Sequence, residues 1–329
     1  MKKGMFIIAL VLFFVQPCYS YHIEVLQVSD IVPFDDAYKG FVGELAKNNI
    51  VEGDNLSINR HIIDAEADAN LWKKVCILLR IKNAASRIVD AKPDLVLTIS
   101  TPATKYSMKK IISAGIPLVF TCVANPPLIG CPSVKKSGVG FTGSTLYQDP
   151  LNYMVLAQMA YPGAKNVGLI HSDDENAIAF ADEVGRKAAQ IGIKVLAKEV
   201  GKSDPIIPAA KELVEAGIDS FAVPLDTYYG LNEQQYAKDL RVIADENKLP
   251  VFCFANFDEK GAVLYTGPDF RHIGMLAGTQ ALKIIKDKVK PEELPILKQE
   301  ELNIYVDVEK AEMLGLTISE KLLKVSKQR

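Results

Sequence analysis

Cys122 and Cys253 each stand three residues before the asparagine of an Ala-Asn pair, Asn125 and Asn256. Two thiols at matching places in two similar halves would face each other across a cleft. One thiolate could then take the proton from the Cα of an amino acid while the other thiol returned one to the opposite face, a racemisation without a cofactor. That chemistry needs both cysteines free at a strand's end. Both lie instead inside apolar runs, 118–123 and 251–254, where a cysteine serves as a small buried hydrophobe.

Other residues suit binding without reaction. Ser100 and Thr101 precede a predicted helix, and their hydroxyls with the free N–H groups of a helix start suit a carboxylate. Ordinary N-capping needs the same residue types. Asp226 occupies the equivalent loop of the other half, where it can take an ammonium group or cap its own helix. Phe34, Tyr228 and Phe257 can wall the apolar part of a ligand or pack in a core.

Some patterns mislead. Gly138-Val139-Gly140-Phe141-Thr142-Gly143 spells G-x-G-x-x-G, which binds a dinucleotide only when it follows a first strand and opens a helix. Here it follows Lys135-Lys136-Ser137, and the next helix begins near Asp149, so it reads as flexible backbone at a crossing between domains. His22, His61, His171 and His272 are far apart and there is no CxxC, so no metal site and no cofactor are expected.

These residues need elements to hold them. Apolar runs at 23–28, 56–63, 95–99 and 118–123 read as strands, the last two continuous enough to be covered on both faces. Phe34, Ala37, Tyr38, Phe41, Val42 and Leu45 recur at helical spacing, and 71–89 is helical, ended by Pro93. A second cycle follows, with strands at 167–171, 195–200, 220–224, 251–254 and 302–306. Helices are expected near 175–191, 205–216, 233–247 and 270–286, and short closing ones over 308–323. Residues 93–125 and 217–256 repeat one plan: apolar strand, polar loop, helix, apolar strand, Ala-Asn. Alternating βαβα implies parallel sheets with right-handed crossovers, here two similar three-layer α/β/α domains joined by a multi-strand hinge. The predicted lobes are 21–141 with about 258–290, and 142–257 with about 291–329.

Ligands of open α/β sheets bind beyond the carboxyl ends of the strands. That rule selects Ser29, Phe34, Asp35, Ser100, Thr101, Pro102 and Asn125 in the first half. In the second it selects Asp173, Asn176, Asp226, Thr227, Tyr228 and Asn256.

The ends and the charge bound the function further. Lys2 and Lys3, an apolar run over 4–15 too short to span a bilayer, and the small residues near Ser20 read as a signal peptide, 1–20. A lipid anchor at Cys18 is the alternative, disfavoured by Pro17 where a small residue is wanted. Losing Lys2 and Lys3 leaves 36 cationic residues against 40 acidic ones, a net charge of −4, with no basic face for nucleic acid. Export permits disulfides, and Cys122 and Cys131 are close enough in sequence to pair, although the pattern favours Cys122 and Cys253 as small buried strand residues.

From Tyr21 onward the chain resembles the exported substrate-binding proteins of ABC transporters with the type I periplasmic-binding fold, especially the subgroup for tryptophan and other aromatic amino acids. The resemblance rests on Phe34-Asp35-Asp36-Ala37-Tyr38-Lys39-Gly40-Phe41, Lys92-Pro93-Asp94-Leu95-Val96 and Ser100-Thr101-Pro102-Ala103. It continues through Ile116-Pro117-Leu118-Val119-Phe120, Val223-Pro224 with Asp226, Leu249-Pro250-Val251-Phe252, Gly261-Ala262 and Leu302-Asn303-Ile304-Tyr305-Val306. It implies a periplasmic receptor that closes on a small ligand and delivers it to a permease and its ATPase, performs no chemistry and acts as a monomer. The same fold can instead present its closed form to a histidine kinase ectodomain. Two departures stand out: Asn256 occupies a place where the subgroup commonly has an Asp for an amino group, and 73–86 carries a few extra residues.

Overall fold

The computed structural model describes residues 21–65, 71–255 and 260–329. The predicted signal peptide with Cys18, and Asn256 with Phe257, lie outside the described residues.

The first half runs β1 (Tyr21–Gln27), α1 (Val32–Lys47), β2 (Leu56–Ile62), α2 (Leu71–Ala91), β3 (Leu95–Ile99), α3 (Thr101–Ser113), β4 (Leu118–Val123) and β5 (Phe141–Thr145). The second runs α4 (Pro150–Ala160), β6 (Asn166–Ser172), α5 (Glu175–Ala188), β7 (Lys194–Val200), α6 (Ile206–Glu215), β8 (Ser220–Val223), α7 (Gln235–Glu246), β9 (Val251–Cys253) and β10 (Leu264–Gly267). The chain closes with α8 (Phe270–Ile285), β11 (Leu297–Lys298), β12 (Asn303–Val306), α9 (Val308–Met313), α10 (Glu320–Val325) and β13 (Lys327–Gln328).

Two sheets result, ordered β2-β1-β3-β4-β5-β11 and β7-β6-β8-β9-β10-β12-β13. The same winding, second strand outside the first and then third, fourth and fifth, occurs twice. The repeat in the sequence is therefore a repeat in topology. The pairings are parallel except β10 with β12, as right-handed βαβ crossovers require. Helices cover both faces of each sheet, so β3, β4, β5, β8 and β9 are buried along their whole length.

The lobe boundaries differ from the sequence expectation. β5 pairs with β4 and β11 with β5, so both belong to the first sheet, while β10 pairs with β9 in the second. The crossings therefore fall at 146–149, 268–269 and 299–302 rather than at 141/142, 257/258 and 290/291. The helices exchange lobes: α4 follows β5 but packs into the second core, and α8 follows β10 but packs against α1 in the first. The three crossings are tied by two side chains. Gln148 Nε2 donates to the Gln299 carbonyl at 2.9 Å, and Gln299 Oε1 accepts from the Asp269 N–H at 2.8 Å. Both glutamines are buried, so neither amide has water as an alternative partner.

The glycine run also differs from its reading. Gly143 lies inside β5, where any Cβ would overlap the Phe120 carbonyl of β4. The run leads a core strand rather than a flexible crossing. Gly143 serves close backbone approach, while Gly138 and Gly140 leave room for the Phe141 ring and the Ile112 side chain, which nothing in a G-x-G-x-x-G spelling distinguishes from phosphate binding. Among the described residues no helix is long and apolar enough to cross a membrane.

Candidate functional site

The carboxyl ends of both sheets meet between the lobes. On the first lobe the N-terminus of α3 faces the N-terminus of α5 on the second. The Thr101 hydroxyl donates to Asn176 Oδ1 at 3.3 Å, and Lys105 Nζ pairs with Glu175 Oε2 at 2.6 Å. Lys74 of α2 pairs with Asp173 at 3.6 Å. Deeper, toward the hinge, a pocket of about 40 Å³ is lined by Asn125, Tyr147, Tyr153, Asn176, Phe180 and Glu183, with Ala124, Leu146, Gln148 and Leu225 completing it.

Aromatic rings form one wall of this pocket. Tyr153 stacks on Phe254 with centroids 4.7 Å apart, and Phe180 tilts against both. Burial raises the Tyr153 phenol well above the usual tyrosine range, so it stays a neutral hydroxyl. Tyr147, on the first crossing, donates to Glu183 Oε1 at 2.7 Å and accepts from Lys187 Nζ at 3.3 Å. Burial first, and then the Glu183 carboxylate, push the Tyr147 phenol up to about 12. Lys187 also binds Asp149 at 2.9 Å and Glu183 at 2.7 Å. Glu183 thus shares its one cation with Asp149 and keeps a carboxylate at the pocket wall. Beside it the pocket offers amides, neutral hydroxyls and ring faces.

Of the residues selected from sequence, Thr101, Asn125 and Asn176 reach this interface, and Pro102 sits half-buried beside Thr101. Ser100 lies under it: its Oγ accepts from the Ala103 N–H at 3.3 Å, the capping role. Ser100 also holds φ at +101°, a conformation that costs a non-glycine residue about 1–3 kcal/mol and persists where the surroundings impose it. Pro102 removes one donor from the helix start, so α3 offers a carboxylate fewer N–H groups than the sequence reading supposed.

The remaining selected residues have other duties. Asp226 is buried and fully engaged inside its own lobe. It accepts from the Ser172 N–H at 2.7 Å, the Ser172 hydroxyl at 3.0 Å and the Tyr228 N–H at 3.0 Å. Tyr228 does not wall the cleft: it is in the second core, stacked on Tyr236 at 4.2 Å, with its hydroxyl on the Asp204 carbonyl. Thr227 is exposed beside Lys202. Asp173 is exposed at the cleft mouth. Phe34 packs against the first core, Asp35 pairs with Lys39 and Arg60, and Ser29 bonds the Ala65 carbonyl. Asn256 lies outside the described residues.

The thiols do not form the facing pair. Cys122 is buried in the first core, where burial pushes it up to about 12, and Cys253 is buried in the second, donating to the Ala255 carbonyl. Cys122 and Cys131 are both free. They belong to cores on opposite faces of the first sheet, Cys122 against α1 and α8 and Cys131 on the side of α2 and α3. Among the described residues no group of His, Cys, Asp and Glu is placed to hold a metal ion.

Sequence reasoning missed Tyr147, Tyr153, Phe180 and Glu183. Tyr153 and Phe180 sit at helical spacing among apolar neighbours and read as core. Tyr147 and Tyr153 flank the first crossing, and placing that crossing after β5 would have exposed them as cleft residues. A larger groove of about 400 Å³ lies elsewhere, on the second lobe alone, rimmed by Arg241, Asp245, Lys260, Asp307, Lys310 and Met313. It is shallow and does not lie between the lobes.

Two doubly wound lobes, a three-crossing hinge and a cleft lined from both sides define a two-lobe ligand-binding protein of the type I periplasmic-binding fold. The family model described as ABC transporter substrate binding protein matches residues 22–329, and the chain belongs to that family. Three solved structures share the fold, each over 94% of this chain and 99% of its own length. They are the ligand-free, open form of CD0873, a substrate-binding protein with adhesive properties from Clostridium difficile (23% identity, TM-score 0.74), an ABC domain in complex with L-Trp from Streptococcus pneumoniae (21%, 0.76), and a conserved domain protein from Vibrio cholerae (22%, 0.75). No curated protein matches the chain.

Proposed function

We propose that the protein, once exported, captures a small amphiphilic ligand bearing a carboxylate between its lobes and hands it to an ABC permease driven by its ATPase. Aromatic amino acids are the first candidates. The observation that carries this reading is the ring wall of Tyr147, Tyr153 and Phe180 beside the amides of Asn125 and Asn176. Flat rings with a few placed polar groups suit a flat ligand with a polar end. The L-Trp complex of a relative with the same fold supports the same class. Thr101 and the start of α3 supply a hydroxyl and a helix dipole for the carboxylate. For an ammonium group the described pocket offers amide oxygens, ring faces and the Glu183 carboxylate, which shares Lys187 with Asp149, whereas Asp226 is engaged in its own lobe.

The cleft pocket of about 40 Å³ is far below the roughly 300 Å³ at the low end of ligand sites. The lobes must therefore part about the hinge to admit an amino acid. Their exposed bridges, Lys105–Glu175 and Lys74–Asp173, are each worth about 0–1 kcal/mol, so ligand contacts on both lobes can decide the balance. Thermal-shift measurements against a metabolite set test the ligand class. Stabilisation by tryptophan, tyrosine or phenylalanine is expected; stabilisation by sugars or polyamines alone would refute it.

A further inference from the structure

Helix α2 carries an apolar stripe on its outside. Trp72, Val75, Cys76 and Leu79 follow i, i+3, i+4, i+7 spacing, and all are exposed, Trp72 by 79%. The inward stripe of the same helix, Ile81, Ala84 and Ile88, fills the first core. The core thus accounts for one face of α2, and the opposite face of its first two turns presents large side chains to solvent.

The charges on the helix itself are nearly all cationic, although Asp64, Glu66 and Asp68 stand just before it in the sequence. Helix α2 holds Lys73, Lys74, Arg80, Lys82 and Arg87 against one acid, Asp90, at its far end. Of these, Lys74 is turned to Asp173 of the other lobe. Helix α3 lies alongside, tied by Lys110 Nζ to Ser86 Oγ at 2.5 Å, and contains Lys105, Lys109 and Lys110 with no acid. This cationic corner belongs to a chain whose net charge is negative. A Trp- and Leu-bearing stripe flanked by lysine and arginine suits the boundary between headgroups and acyl chains of an anionic bilayer.

We propose that the outer face of α2 is a docking surface for an anionic lipid membrane, with Trp72 and Leu79 inserted at headgroup level and Lys82, Arg87, Lys109 and Lys110 on lipid phosphates. The face lies on one lobe, away from the cleft pocket. Lipid contact therefore leaves the ligand site free and stands whether or not the proposed ligand is correct.

Trp72 is the only tryptophan, so its emission reports on this face alone. The full chain is mixed with vesicles of equimolar phosphatidylcholine and phosphatidylglycerol, or of phosphatidylcholine alone. A blue shift with the anionic vesicles only, reversed by added salt, is expected. Lys82→Ala should weaken the partition about fivefold, the effect of removing one cation near an anionic surface. Leu79→Glu should abolish the shift while leaving the far-UV circular dichroism unchanged. Three results would overturn the proposal: no shift with anionic vesicles, an equal shift with neutral ones, or a shift that grows with protein concentration alone, which would mean that a second copy covers the face.

Discussion

Asp226 shows how far residue types alone can be read. A carboxylate in a strand-end loop was legible as an ammonium partner or a cap, and nothing in the sequence separates these. The structure gives its oxygens three donors within its own lobe, all buried. Asp226→Ala should therefore cost about 2–3 kcal/mol in urea unfolding, as donors left unpaired do, and should weaken every ligand alike rather than amines selectively. Asp174 carries a second residue-scale prediction. Burial raises its pKa, but Lys202 and the Asn176 N–H outweigh that and hold it below the ordinary 3.8. A carboxyl depressed in the folded state adds stability that is complete above its unfolded value and is lost as pH falls through the folded one. Asp174→Asn should thus flatten the loss of stability below about pH 4. The mutant and the wild type should converge at the acid end, as read by thermal unfolding across pH. That Thr101, Asn125 and Asn176 lie between the lobes was legible because strand ends fix where a loop faces. Tyr153 and Phe180 were not, because an aromatic residue at helical spacing has the same signature in a core and in a cleft wall.

At the scale of elements, strands β3 and β4 were legible to the residue, since continuous apolar runs with Pro or Gly outside them leave little freedom. β10 and β11 were not: four and two residues carry too little period, and their place depends on partners far along the chain. That is why the lobe boundaries read from sequence were displaced. The α1–α8 contact was invisible for a related reason, because it is made by glycines. A Cβ on Gly40 would overlap the Arg271 carbonyl, and one on Gly274 the Ala37 carbonyl. The two helices meet backbone to backbone across a junction that brings the returning chain into the first lobe. Gly274→Ala should force them apart and cost about 2–3 kcal/mol or more, measured by chemical denaturation. Gly43→Ala, where a Cβ meets nothing within 4 Å, should cost nothing and supplies the control.

At the scale of the molecule, the doubled topology places two sets of strand-end loops face to face, and three crossings locked by Gln148 and Gln299 restrict their relative motion. Motion about such a hinge is the expected response to a ligand that contacts both lobes. The bridges between the lobes are mostly charged and exposed, so they tune the balance weakly. Lys105→Glu places like charges opposite Glu175 and should enlarge the radius of gyration of the free protein in solution scattering, with aromatic ligand restoring the compact form. The central claim is that an aromatic amino acid is held between the lobes against this ring wall. Calorimetric titration of L-tryptophan into the wild type and Phe180→Ala tests it most directly. One saturable site, weakened about two- to tenfold in the variant, is predicted, since one aromatic contact contributes about 0.5–1.5 kcal/mol. No binding by the wild type, or equal affinity in both proteins, would contradict it.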